Sequence, residues 1–207
     1  MYRNAAIALV FAATLTGCPK KGPDMNNPVE TFNEGVRILQ SAPEGSNPDF
    51  GSAYTMFEAS ITADPNKAKV QYNAGWVAEQ QGFKDKAAQH YRTALNLDPN
   101  YANALFNLGL VLTELGQGNE AAELYKKHLE SNPGDIAVRN NLVEALAGAG
   151  LYDEAVDNIR VILRSDNNNV GAYRNLSRIY FQKGELEMSQ LCAEKAKTLA
   201  KGDSGIY

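Results

Sequence analysis

Between residues 68 and 135, apolar positions recur three and four apart in short bursts, and each burst predicts an amphipathic helix. The stretch AKVQYNAGWVAEQQGFKDKAAQHYRTALNLDPNY, residues 68–101, carries two bursts separated by glycine and polar residues. ANALFNLGLVLTELGQGNEAAELYKKHLESNPGD, residues 102–135, repeats the same design 34 residues later. Asn73 and Asn107, Gly75 and Gly109, Gly82 and Gly116, Ala87 and Ala121, Tyr91 and Tyr125, Leu95 and Leu129, and Pro99 and Pro133 each fall one period apart. Residues 136–169 keep Leu142, Leu146, Gly150, Ala155, Ile159 and Leu163; residues from 170 keep Leu176, Tyr180, Gly184, Ser189, Ala193 and Ala196.

Numbering each period from place 1, the glycine at place 15 closes the first helix where a positive φ costs little. Small residues at places 8 and 20 let two helices approach closely. Asp98-Pro99 and Asn132-Pro133 end the second helix. Asp85, Asn119 and Asp153 stand where N-caps are expected. The last period has Asn167 before it in place of a proline, and Ser177 and Ser189 in place of Gly and Ala, which weakens the stop signal but keeps the fold. Upstream, GSAYTMFEASITADPNK, residues 51–67, supplies one further second helix. Its first helix is expected over 28–41, with Gly35 at the close-packing place and an unusually long connection, SAPEGSNPD, between the two.

Periodicity of this kind points to a repeat architecture, and the motif pattern resembles the tetratricopeptide repeat, over residues 68 to about 200. The resemblance implies an all-α fold, a right-handed α-solenoid of about five helix-turn-helix units and about ten helices. Its expected organisation is a degenerate first unit at 28–67, units at 68–101, 102–135 and 136–169, and a final unit with a C-terminal tail at 170–207.

The resemblance further implies that places 2, 5, 6, 9, 12 and 13 face a concave groove. Place 6 then gives an amide ladder of Asn73, Asn107, Asn141 and Asn175. An amide offers donor and acceptor together, which suits the backbone of an extended peptide. Places 5 and 9 give Tyr72 and Trp76, Phe106 and Leu110, Asn140 and Glu144, and Arg174 and Arg178, aromatic first and basic last. Aromatic residues and arginine are the usual binding anchors, and two arginines one turn apart can share a carboxylate. Tetratricopeptide domains that clamp a chaperone's C-terminal carboxylate use lysine at place 5, which this chain lacks. The expected partner is a protein or an extended peptide segment.

The N-terminus follows a different pattern. Arg3 precedes an apolar segment from Ala5 to Leu15, the layout of a secretory signal over residues 1–17, and one too short to span a bilayer, which takes about 20 apolar residues. Leu15-Thr16-Gly17-Cys18 resembles the lipobox of bacterial lipoproteins, which implies N-acyl and S-diacylglycerol groups on Cys18 and a membrane as partner. Several acyl chains, each burying methylenes at about 0.8 kcal/mol apiece, make a lasting anchor. Residues 18–27, rich in Pro, Gly and Asn, read as a flexible tether. Pro19 after the cysteine, rather than aspartate, favours the periplasmic face of the outer membrane over the inner one.

Composition narrows the function classes. The 207 residues are 44% hydrophobic and 21% charged with a formal net charge of -4, an ordinary globular balance without a basic stripe for nucleic acid. With Cys18 acylated, Cys192 has no disulfide partner within the chain and is expected as a half-buried helix residue. His90 and His128 lie on second helices more than one period apart, and no metal-ligand spacing, phosphate loop or nucleophile–base arrangement accompanies them. No cofactor and no enzymatic activity are expected. The leading function is a membrane-anchored interaction scaffold for an envelope machine of pilus, outer-membrane-assembly or gliding-motility type. The alternatives are a regulator of a periplasmic cell-wall enzyme acting through the same groove, and a structural oligomer.

Overall fold

A computed structural model describes residues 22–203, with side chains through Ala200. The apolar segment 1–17 and Cys18 lie outside the described residues. Ten helices follow in order: α1 Pro28–Gln40, α2 Phe50–Ala63, α3 Ala68–Gln80, α4 Lys84–Leu97, α5 Ala102–Glu114, α6 Gly118–Ser131, α7 Ile136–Gly148, α8 Tyr152–Ser165, α9 Val170–Gln182 and α10 Leu186–Asp203. The described residues contain no strand, and the fold is all-α. None of these helices is long and apolar enough to cross a membrane.

Two compact units divide the chain, with the boundary between Val111 and Leu112 inside α5. In the first, α1 packs on α2, α2 on α3 and α3 on α4. Leu39, Ala53, Phe57, Val70, Ala74 and Val77 form a core there, flanked by Phe32, Phe50 and Trp76. In the second, each of α6 to α10 packs on the next, and α7 also reaches α9.

Asp24–Asn27, placed in the tether by composition, form a turn that starts α1. Asn27 accepts hydrogen bonds from the Val29 and Glu30 amides, while the Glu30 carboxylate accepts from the Asp24 amide and the Asn27 side chain. That reciprocal arrangement satisfies donors the first helical turn leaves open.

The turn inside each later unit corrects the N-cap expectation. Gly82, Gly116, Gly150 and Gly184 all have φ between 75° and 82°, a conformation that costs only glycine nothing. The amide after each glycine donates back to the helix it leaves, as Phe83 to Ala78, Gln117 to Leu112, Leu151 to Leu146 and Glu185 to Tyr180. This closure hands the chain directly into the next helix. Asp85 and Asp153 therefore sit inside the first turns of α4 and α8, where they complement the helix dipole, and Asn119 lies inside α6. The residues at their N-caps are Phe83, Gln117 and Leu151, which make no side-chain cap.

Unit ends are also set by more than proline. Asp64, Asp98 and Asp166 each accept a hydrogen bond from the amide two residues on. Asp166 makes that turn without a proline behind it, and α8 still ends at Ser165. The stop signal expected to weaken at Asn167 is thus supplied by the preceding aspartate.

Small residues at place 8 match the side chain at place 24. A Cβ on Gly35 would stand 2.7 Å from the Phe57 ring, and one on Gly75 2.8 Å from the Tyr91 ring. Where place 24 shrinks to Ile159 or Ala193, place 8 holds Val143 or Ser177. Glycine is required opposite an aromatic ring, and a smaller side chain at place 24 leaves room for a Cβ at place 8. In the last unit Ser189 donates to the Ser177 carbonyl at 2.8 Å, so the small pair is also hydrogen-bonded.

Candidate functional site

Places 5, 6, 9 and 12 lie on the first helix of each unit, and the structure separates them into locked and available sets. In the first compact unit the aromatic pair Tyr72 and Trp76 is locked. Tyr72 is 3% exposed, its ring 5.8 Å from that of Tyr91 and 5.2 Å from that of Tyr101. Burial, with Tyr101 and Glu79 nearby, pushes its phenol up to about 12. Tyr72 is a core residue, a correction to its assignment as a groove anchor, because three tyrosines close over one another. Trp76 is half-buried and meets Phe50 edge-on at 5.9 Å within the core cluster. Phe106 is half-buried, and Leu110 is exposed on the same helix.

The amide ladder is likewise spent internally at its start. Asn73 and Asn107 are buried; the first donates to the Lys69 carbonyl at 2.9 Å, the second to the Tyr91 hydroxyl at 3.2 Å. Tyr91 in turn donates to Glu79 at 2.7 Å, so places 12 and 24 of one repeat and place 6 of the next form one hydrogen-bonded chain. Burial and the adjacent Glu79 carboxylate hold the Tyr91 phenol far above its ordinary range. One period later the chain is broken. Thr113 stands where Glu79 would be, and the buried Tyr125 hydroxyl has no hydrogen-bond partner. Glu144 lies near enough to add to the effect of burial in raising its pKa.

In the second compact unit, Asn140 donates to the Ile136 carbonyl, Asn141 and Asn175 are half-buried, and Glu144 is exposed. Arg174 and Arg178 are exposed on α9 and form no ion pair among the described residues. Phe181, 65% exposed, continues their stripe at one further turn. Phe181 occupies place 12, a place the resemblance assigns to the groove, so its signal was present in the sequence. Beside this stripe a cleft of about 400 Å³ opens between α9 and α10, lined by Arg174, Ser177, Ala193, Ala196, Lys197 and Ala200. Its floor is small and largely apolar, and its two charged walls are both cationic. Such a surface admits a helix or extended segment at close range and favours acidic side chains on it.

The histidines do not assemble a reactive centre. His128 bonds Asp135, the N-cap of α7, at 3.1 Å. His90 bonds Tyr54 and Gln71, both at 2.9 Å, in a cleft shared with Glu58 and Lys86. Among the described residues no group of three or more His, Cys, Asp or Glu side chains could hold a metal ion. Cys192 is buried, deeper than expected, and desolvation raises its thiol pKa, which disfavours the reactive thiolate.

Comparison with known proteins matches this geometry. Tetratricopeptide repeat profiles match residues 47–102 and 72–136, 112–175, and 170–203. No curated protein matches the chain. Among solved structures, MamA 41-end from Desulfovibrio magneticus RS-1 is similar at 17% identity and TM-score 0.70, covering 89% of this chain and 100% of that one. YrrB, described as a TPR protein with an unusual peptide-binding site, is similar at 22% identity and TM-score 0.67, covering 84% of this chain and 87% of its own. At these identities the likeness establishes a shared fold.

Proposed function

The chain belongs to the tetratricopeptide repeat family, and on that premise we propose that it is a non-catalytic scaffold that binds a protein segment along α9. One observation carries the reading: Arg174, Arg178 and Phe181 form an exposed stripe with no internal ion pair, beside a cationic cleft floored by alanines. An exposed aromatic flanked by two unpaired guanidinium groups is the composition of a binding hot spot. The segment it fits is amphipathic and acidic: apolar side chains meet Phe181 and the alanines, and carboxylates take bidentate hydrogen bonds from the arginines. Peptide binding described for the similar protein YrrB supports the same class of activity for this fold.

The scaffold works at a membrane. Support comes from the apolar run to Leu15 and the Leu15-Thr16-Gly17-Cys18 sequence, which suit lipidation of Cys18 and attachment at the periplasmic face of the outer membrane. In this reading the anchor fixes position while the α9 face recruits a component of an envelope machine of the pilus, outer-membrane-assembly or gliding-motility kind. Co-purification from detergent-solubilised envelopes tests the binding half. The same envelope protein should accompany the wild-type chain and be lost from Arg174→Glu/Arg178→Glu; an unchanged set of companions removes the assignment.

A further inference from the structure

The face of α10 turned away from the cleft breaks the rule of the preceding units. At place 22 the earlier second helices carry Gln89, Glu123 and Asp157, and at place 19 they carry Lys86, Glu120 and Glu154. In α10 these places hold Leu191 and Met188, which are 60% and 41% exposed. Charged or amide side chains are the ordinary occupants of such an outward face, so two large apolar replacements on one helix mark a surface that is covered in use.

Charge identifies what covers it. With helical residues advancing about 100° each, Glu187, Leu191 and Lys195 follow one another at steps of about 40° and form a stripe about 80° wide, acid one turn before leucine and base one turn after. Glu187 forms no ion pair among the described residues, and Lys195 meets only the Tyr173 ring, 6.0 Å from its centroid. Turned antiparallel about Leu191, a second α10 brings its own leucine opposite and sets each Glu187 at the level of the partner's Lys195. Met188 then lies at the level of the partner's Glu194, whose methylenes can cover it. The stripe is complementary to itself, as a two-fold interface requires.

We infer that two copies of this chain pair through the outward faces of their α10 helices, antiparallel and centred on Leu191. Ala193, Ala196 and Ala200 line the cleft on the other side of the same helix, so the pair leaves the α9 surface open. A contact of one helix against one helix is smaller than a standard stable interface, and membrane attachment would raise the local concentration it needs.

The test uses the full-length chain in its native cell, with a photo-crosslinking side chain at position 191. Irradiation should give an adduct of twice the chain mass containing only this chain. Glu187→Lys and Lys195→Glu should each lower its yield about tenfold, because each places like charges opposite twice per pair; the double variant should return it to within about twofold. Arg174→Glu should leave it unchanged. The inference is overturned if no self-adduct forms, if position 191 captures a different protein instead, or if the double variant stays as low as the singles.

Discussion

Tyr91 and Tyr125 occupy the same place in adjacent units, are both buried, and differ in what their hydroxyls meet. Tyr91 donates to Glu79 at 2.7 Å and accepts from Asn107 at 3.2 Å, whereas Tyr125 has no partner. Replacing each by phenylalanine therefore isolates the polar contribution, since ring packing is retained. For Tyr91→Phe, one hydrogen bond to a charged group, worth about 1.5–3 kcal/mol, is removed, and the buried Asn107 amide loses its acceptor. A net loss of about 2 kcal/mol is expected, which lowers the melting temperature by about 4–8 °C for a chain of this size. For Tyr125→Phe, the change removes a hydroxyl that is desolvated without compensation, so stability should stay level or rise by up to about 1 kcal/mol. Urea denaturation of the purified variants, followed by helix circular dichroism, reads both differences against the wild type. Equal destabilisation by the two substitutions would refute the argument, because it would require a partner for Tyr125 that the geometry does not provide.

Three further outcomes follow from the same structure. Gly118→Ala should cost about 1–3 kcal/mol, because the new Cβ stands 2.8 Å from the Ala145 carbonyl oxygen and 3.1 Å from the Ala149 nitrogen, backbone atoms that cannot swing aside; Gly148→Ala, with only Thr113 at 4.0 Å, should be neutral or gain up to about 1 kcal/mol in the same denaturation assay. His90 has its pKa held below 6.5, mainly by burial and also by Lys86, with Glu58 opposing, so the unfolded chain takes up the proton first: its contribution is complete above about pH 6.5 and declines as pH falls through that value, and His90→Gln should flatten this acid limb of the urea midpoint against pH. Cys18→Ser should abolish lipidation, and release of the variant chain from washed membranes is the expected readout; retention after a high-salt wash would contradict the anchor.

Much of the fold was legible because the period is carried by steric necessities. The place-15 glycine needs a positive φ, and the place-8 glycine faces an aromatic ring, so both signals recur at fixed spacing. The N-caps misled because Asp85, Asn119 and Asp153 look like caps in isolation, while the closing turn uses only backbone hydrogen bonds and leaves no side-chain signature. Gly118 was equally silent: its need arises from α7, which lies more than a turn of sequence away. For the candidate site, the exposed arginines were found by place number alone. Tyr72 was not separable from a groove residue, since its burial depends on Tyr101, at the end of its own unit, folding back over it. Leu191 and Met188 stand out only when each unit is compared with its siblings at the same place.

The central claim, that α9 carries the binding surface, is tested most directly by photo-crosslinking in the native cell from position 181, with position 110 on α5 as the comparison. The account predicts one envelope protein captured from position 181 through an acidic amphipathic segment, identified by mass spectrometry of the cross-linked peptide, and loss of that product in Arg174→Glu/Arg178→Glu. No product from position 181, or one that survives the reversal of both charges, would contradict it.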